Sequence, residues 1–132
     1  MSKYIALDVG TKRVGVAMSD DLAIIASPYA TIPREGAAET AAILAEKEKA
    51  ARIVVGLPYL PSGGLGSQAR DVNLFVEELQ KQTSIPIDFE DEVLTSVEAE
   101  NRLKAMSKKR LVKSEVDAMA ACIILESYMR RQ

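Results

Sequence analysis

Histidine is absent from the 132 residues of this chain, and its absence removes a large part of enzyme chemistry. Ser-His-Asp and Cys-His nucleophilic sites, imidazole general bases and every zinc site that needs a histidine are excluded. The one cysteine, Cys122, rules out an internal disulfide and a multi-thiolate metal site. Tryptophan is also missing, and the aromatics are four Tyr and two Phe. Base stacking is therefore not expected to dominate any contact with nucleic acid. Long apolar runs are lacking too. The longest, Ala118 to Leu125, is too short to cross a bilayer. Asp8 interrupts the apolar stretch Tyr4 to Leu7 well before it reaches the length of a signal-peptide core. The expectation is a cytoplasmic protein with no membrane partner, whose chemistry rests on carboxylates, lysines, hydroxyls or the backbone.

What is present fits a folded domain. Hydrophobic residues make up 48% and charged residues 27%, and Gly and Pro number only 7 and 5. That composition is neither collagen-like nor disorder-like. A single domain over residues 1–132 is expected from the length. The formal net charge of −2 conceals a strong local pattern. Between Ile85 and Asn101 stand Asp88, Glu90, Asp91, Glu92, Glu98 and Glu100, with no Lys or Arg. Between Arg102 and Lys113 stand Arg102, Lys104, Lys108, Lys109, Arg110 and Lys113, with no Asp or Glu. Both blocks read either as solvated faces or as a paired acidic and basic site.

Apolar patterning orders the elements. Lys3 to Val9 reads as a strand stopped by Gly10, and Val14 to Ser19 as a second, with Gly10-Thr11-Lys12-Arg13 as the hairpin between them. Leu22 to Ser27 suits a third strand ended by Pro28. The alanine-rich stretch Ala37 to Ala51 suits a helix. Arg52 to Leu57 is a buried strand closed by Pro58, and a Gly- and Pro-rich loop covers Tyr59 to Gly66. Ala69, Val72, Phe75, Val76 and Leu79 recur at helical spacing within a helix from Ser67 to Lys81. Ile85 to Phe89 is a further strand. Thr95 with Glu98, and Ser114 with Asp117, give capping-box patterns at the starts of two last helices, the second running to Met129. Met106 to Lys113 reads as a mobile basic loop between them. The order β-β-β-α-β-α-β-α-α implies an α/β fold with a mixed sheet flanked by helices.

Three carboxylates draw interest. Asp8 ends an apolar strand, where it either caps the next turn or needs a metal or charged partner. Asp91-Glu92 follows a strand, where ligands bind in open α/β sheets, or else it is a solvated loop. Asp117 completes a capping box, or it borders the inward stripe of Ala120, Ala121 and Ile124; the two roles are compatible. The Gly-x-x-x-x-Gly of Gly10 and Gly15 is followed by Val16-Ala17 and is no Walker motif. If the strands of Asp8 and Glu92 are neighbours and the last helix crosses them, the three carboxylates converge. Such a cluster calls for divalent cations, and oxygen-only ligands favour Mg²⁺ or Mn²⁺. Two such ions about 4 Å apart support phosphodiester hydrolysis.

Leu7-Asp8-Val9-Gly10-Thr11-Lys12-Arg13-Val14-Gly15-Val16-Ala17-Met18-Ser19-Asp20 closely resembles the opening motif of the YqgF/RuvX family. Val55-Gly56-Leu57-Pro58, Asp91-Glu92-Val93-Leu94-Thr95-Ser96 and Val116-Asp117-Ala118-Met119-Ala120-Ala121 match further motifs in order, followed by Ile124-Leu125 and Tyr128. The resemblance spans essentially the whole chain. It implies a ribonuclease H-like fold, with a mixed five-stranded sheet flanked by helices, and a metal-dependent acidic site. By motif position that site is Asp8, Glu92 and Asp117. It also implies a nuclease that matures the 5′ end of pre-16S rRNA in ribosome biogenesis. Three departures stand out. Val93 replaces the usual arginine, Ser96 the second threonine, and Ser62-Gly63-Gly64 the common Asp-Gly-Ser.

The expected partner is therefore structured RNA, pre-16S rRNA or ribosomal precursor particles, met by a monomer or homodimer. Lys108, Lys109, Arg110 and Lys113 would hold the phosphate backbone on one side of the site, and Lys12 and Arg13 on the other. Such contacts give affinity without sequence reading. Two alternatives are a Holliday junction resolvase acting on branched DNA, which needs a dimer, and a non-catalytic RNA-binding assembly factor. An actin-like ATPase is set aside, because that fold needs two such domains.

Overall fold

The computed structural model describes residues 3–58, 66–91, 95–106 and 112–132, with Thr95 and Ser96 described in their backbone only. Its elements follow the expected order: β1 (Tyr4–Val9), β2 (Arg13–Ser19), β3 (Ala26–Pro33), α1 (Ala37–Lys47), β4 (Arg52–Leu57), α2 (Ser67–Gln82), β5 (Ile87–Asp91), α3 (Thr95–Ala105) and α4 (Lys113–Arg130). The strands form one five-stranded sheet in the order β3-β2-β1-β4-β5. The β1–β2 and β2–β3 pairs are antiparallel, and the β1–β4 and β4–β5 pairs are parallel. The mixed sheet of the ribonuclease H-like fold is therefore present.

Side-chain alternation divides the sheet into two unlike faces. Ile5, Leu7, Val9, Val14, Val16, Ile53 and Val55 pack under α1 and α2, with Ala41, Ala45, Val72, Phe75 and Leu79 above them. Ala6, Ala17 and Val54 lie on the opposite face, under Ala120, Ala121, Ile124 and Leu125 of α4 and Ala99 and Leu103 of α3. The first face is built from branched side chains and the second largely from alanines. Small residues on both partners let α4 lie close to the strands. At Gly15 the approach is extreme: a Cβ there would stand 2.0 Å from the carbonyl oxygen of Asp117. Only glycine allows the first turn of α4 to rest on β2.

β5, at Ile87–Asp91, lies two residues beyond the expected Ile85 to Phe89, and three further boundaries differ for a visible reason. β3 begins at Ala26 and runs through Pro28 to Pro33, where a strand over 22–27 is expected from the sequence. Pro28 does not end it because β3 is an edge strand, where a missing N–H costs nothing on the open side. The register slips between Val16 and Ala17, which pair with Ala30 and Pro28, so Tyr29 is the extra residue of a bulge. Leu22, Ile24 and Ile25 instead form an exposed turn. There Asp20 Oδ1 accepts the N–H groups of Ile24 and Ile25 at 2.7 and 3.0 Å, which holds its carboxyl below the usual range.

α1 stops at Lys47, short of Ala51. Lys49 has a φ of 55°, the Lys49 N–H reaches the Glu46 carbonyl at 3.1 Å, and the Ala50 N–H reaches that of Ala45 at 2.9 Å. This is a Schellman closure with lysine where glycine is usual, so the sequence carries no stop signal there. α4 begins at Lys113 with Val112 as N-cap and no side-chain cap. The Ser114–Asp117 capping box is thus not formed, because Ser114 is already inside the first turn. Lys113, expected in a loop, is helical, and the rest of the expected mobile segment at 107–111 lies outside the described residues.

Two predictions follow from the α4 face. Gly15→Ala drives a methyl group into the backbone of Asp117 and should cost at least the roughly 1–3 kcal/mol typical of overpacking, read as a lower urea midpoint. Cys122 is buried, and burial pushes its thiol up to about 11, with the Glu126 charge adding to the rise. The reactive thiolate is scarce below that pH. Iodoacetamide at pH 8 should label Cys122 in urea far faster than in the folded protein; equal rates would contradict its burial on α4.

Candidate functional site

Asp8 owes its position to strand parity. Ile5, Leu7 and Val9 point to the α1–α2 face, so Ala6 and Asp8 point to the α4 face. Asp8 is half-buried near the carboxyl end of β1, and its partner across the ladder is Gly15. That is the glycine on which the Asp117 backbone rests. One register pairing and one close approach therefore bring residues 8 and 117 to the same spot.

The two carboxylates share a concavity of about 400 Å³. Its other described lining residues include Thr11, Lys12, Arg13, Gln68 and Lys113. Arg13 Nε donates to Asp117 Oδ2 at 2.7 Å, and both side chains are partly exposed. Lys12 and Lys113 are exposed on its rim. Asp8, Asp117, Lys12, Arg13 and Lys113 are thus brought together as the sequence suggested. Glu92, Val93, Lys108, Lys109 and Arg110 lie outside the described residues. Among the described residues no cluster of three or more carboxylates or thiols is placed to hold a metal. Asp8 and Asp117 are the carboxylates among the described lining of the concavity.

The strand order differs from the expected one, in which the strands of Asp8 and Glu92 are neighbours. β1 and β5 are not neighbours, because β4 pairs in parallel with both of them. Pairing of Leu7 with Val55 and of Val55 with Phe89 keeps the carboxyl ends of β1 and β5 level across β4.

The acidic block is not one uniform surface. Glu90 is buried, accepts from Ser127 Oγ at 2.6 Å and from Arg131 Nε at 2.9 Å, and so anchors the end of α4. Asp88 accepts from Arg52 at 2.8 Å and from the Tyr128 hydroxyl. Burial, followed by the bond and charge of Asp88, pushes the Tyr128 phenol up to about 12. Asp91, at the end of β5, is exposed. The basic block divides similarly. Arg102 pairs with Glu126 at 2.9 Å and Glu98 at 3.4 Å, binding α3 to α4, whereas Lys113 reaches the concavity.

Two residues that support the site carried no sequence signal. Arg34 donates to the Gly10 carbonyl at 2.9 Å, grips both Asp71 oxygens at 2.9 and 3.0 Å, and lies over the Phe75 ring at 5.4 Å. Its backbone N–H also reaches the Lys12 carbonyl at 3.0 Å. It fixes the hairpin next to Asp8 against α2, and in return its guanidinium holds the Asp71 carboxyl below the usual range. Gln68, in the first turn of α2, also lines the concavity. Both depend on tertiary contacts that no local pattern announces.

Known proteins resemble this chain in sequence or in fold. A protein of Picosynechococcus sp. named "Putative pre-16S rRNA nuclease" is 42% identical over 129 residues, covering 95% of this chain and 90% of its own. One of the same name from Chloroflexus aurantiacus is 42% identical over 129 residues, with coverages of 95% and 84%. Among solved structures, Thermus thermophilus RuvC superposes with a TM-score of 0.62 at 11% identity, over 98% of this chain and 96% of that one. The fowlpox virus Holliday junction resolvase gives 0.56 at 12% identity, over 98% and 99%. These structures share the fold. A family model described as "RuvX: Holliday junction resolvase" matches residues 2–131, and the chain belongs to the RuvX family.

Proposed function

We propose that this protein is a divalent-metal-dependent nuclease that hydrolyses phosphodiester bonds while maturing the 5′ end of pre-16S rRNA in the cytoplasm. The observation that carries this reading is the meeting of Asp8 and Asp117, 109 positions apart in sequence, in one concavity rimmed by cations. Asp8, Asp117 and Glu92 are the proposed ligands for Mg²⁺ or Mn²⁺. The donor set fits such an ion, since Asp8 and Asp117 offer hard oxygen ligands and neither imidazole nor thiolate lines the described concavity. When bound, the ion lowers the pKa of water and offsets charge on the leaving oxygen, the two tasks for which the chain has no histidine.

The chain's own residues do the positioning. Asp8 is held on a central strand and Asp117 on a helix seated against the next strand, so neither depends on a loop. Lys12 and Lys113 face the rim, where they attract a polyanion and offset phosphate charge. Lys108, Lys109 and Arg110, which precede Lys113 in sequence, are proposed to contact the same phosphate backbone. Contacts of this kind favour structured RNA by its backbone, without reading bases.

The relatives' printed names support the RNA substrate, while the family description and the fold neighbours favour a second reading, cleavage of branched DNA. A competition between precursor rRNA and a four-way DNA junction, with Mn²⁺, Mg²⁺ or EDTA, separates the two. Cleavage of the rRNA at its 5′ flank, lost in EDTA, is the expected result; exclusive cutting of the junction would favour the DNA reading. Asp8→Asn is nearly isosteric and should abolish cleavage with little change in thermal midpoint. Undiminished cleavage by the purified variant would remove Asp8 from the site. Lys12→Gln and Lys113→Gln should each weaken RNA binding and reduce its salt dependence by about one counterion.

A further inference from the structure

The ion pair between Arg13 and Asp117 has a consequence for how the site is loaded. Arg13 Nε lies 2.7 Å from Asp117 Oδ2, so an oxygen of a proposed metal ligand is already taken by a cation. Arg13 stands at the first position of β2, two residues before the Gly15 that seats Asp117. Its side chain and Asp117 line the same concavity as Asp8. Backbone contacts fix both ends of the pair: the Gly10 N–H reaches the Arg13 carbonyl at 2.8 Å, and the Asp117 backbone abuts Gly15. The hairpin and the helix thus bring the Cα positions of the pair together, and the two partly exposed side chains meet at 2.7 Å.

We propose that Arg13 is the resident counter-cation of this site, holding Asp117 until a divalent ion displaces it. The inference rests on the metal-site reading above. Two carboxylates brought together without a cation repel each other, and Arg13 relieves that repulsion in the metal-free protein. A guanidinium and a metal ion cannot both take the same carboxylate oxygen along one line of approach. A metal ion bound at Asp117 Oδ2 would then break the Arg13 bond, and its apparent affinity would be lowered by the population of the paired state. Once displaced, Arg13 remains in the concavity beside Lys12 and Lys113, where a substrate phosphate would lie.

Mn²⁺ binding to the full chain, measured by calorimetry without nucleic acid, tests this directly. Arg13→Gln should bind Mn²⁺ about fivefold more tightly than the wild type, equivalent to about 1 kcal/mol, the upper range for a partly exposed pair. Lys12→Gln removes the same charge from the same loop without touching Asp117, and should change the affinity less than twofold. Equal gains in the two variants, or none in Arg13→Gln, would overturn the latch while leaving the metal site standing. No Mn²⁺ binding by the wild type would instead remove the metal site and the latch with it. A readout free of mutation uses the Arg13 Nε–H resonance in the wild-type protein, which should shift on addition of Mg²⁺; an unmoved resonance at saturating Mg²⁺ counts against displacement.

Discussion

The contact between Gly15 and the Asp117 backbone is the constraint on which the site depends. A side chain at position 15 would hold the first turn of α4 away from β2, and Asp117 would recede from Asp8. The alanines continue the same device along the helix. Ala6 and Ala17 beneath, with Ala120 and Ala121 above, are all fully buried. Aromatic side chains pack at the far end of this face, where Tyr4 and Tyr128 meet edge to face at 5.7 Å. α4 is thus close to the sheet where the carboxylates are and anchored by polar bonds at its other end, through Ser127 and Arg131 on Glu90. Close packing of this kind resists displacement, which keeps two groups from distant parts of the chain in register.

Charge is arranged around that contact in two separate ways. On β5, Asp88 and Glu90 are consumed by Arg52, Tyr128, Ser127 and Arg131, so their negative charge serves the fold. At the ends of β1 and α4, Asp8 and Asp117 share space with the cations of the first hairpin. A net charge near zero is the sum of these distinct uses and describes neither. The absence of histidine belongs to the same logic, since under the proposed function a site of oxygen ligands and cations would give proton handling to a bound metal.

Much of this was legible before the structure. Element order follows from apolar runs and their breakers, because strand and helix periods differ. Asp8 was conspicuous as a charge ending an apolar strand, and Asp117 as the polar border of an alanine stripe. The misreadings came where tertiary position overrides local chemistry. Pro28 looks like a stop only if its strand is flanked on both sides, and β3 is an edge. Lys49 hides a helix end because it adopts a left-handed conformation without being glycine. Ser114 and Asp117 have the spacing of a capping box, yet the helix starts one residue earlier and Asp117 binds Arg13 instead. Strand order was the largest gap. Neither parity nor spacing reveals that β4 enters between β1 and β5.

Gly15 illustrates why such a gap does not spoil the functional reading. By sequence it belonged to a Gly-x-x-x-x-Gly spacing that is no Walker motif and to the opening family motif, neither of which gives its structural role. In the fold it is a strand residue whose value lies in what it lacks, a Cβ, at the point where another element must touch. The same substitution of absence for presence links it to the missing histidine. One lets two carboxylates meet; the other leaves them without an imidazole to share the chemistry. A carboxylate pair so placed needs a cation at every stage, and the fold supplies one in Arg13 before any metal arrives. The hairpin that carries Arg13 is itself held by Arg34, through the Gly10 carbonyl and Asp71. The electrostatics of the site therefore reach back, through two arginines, to the packing of α2.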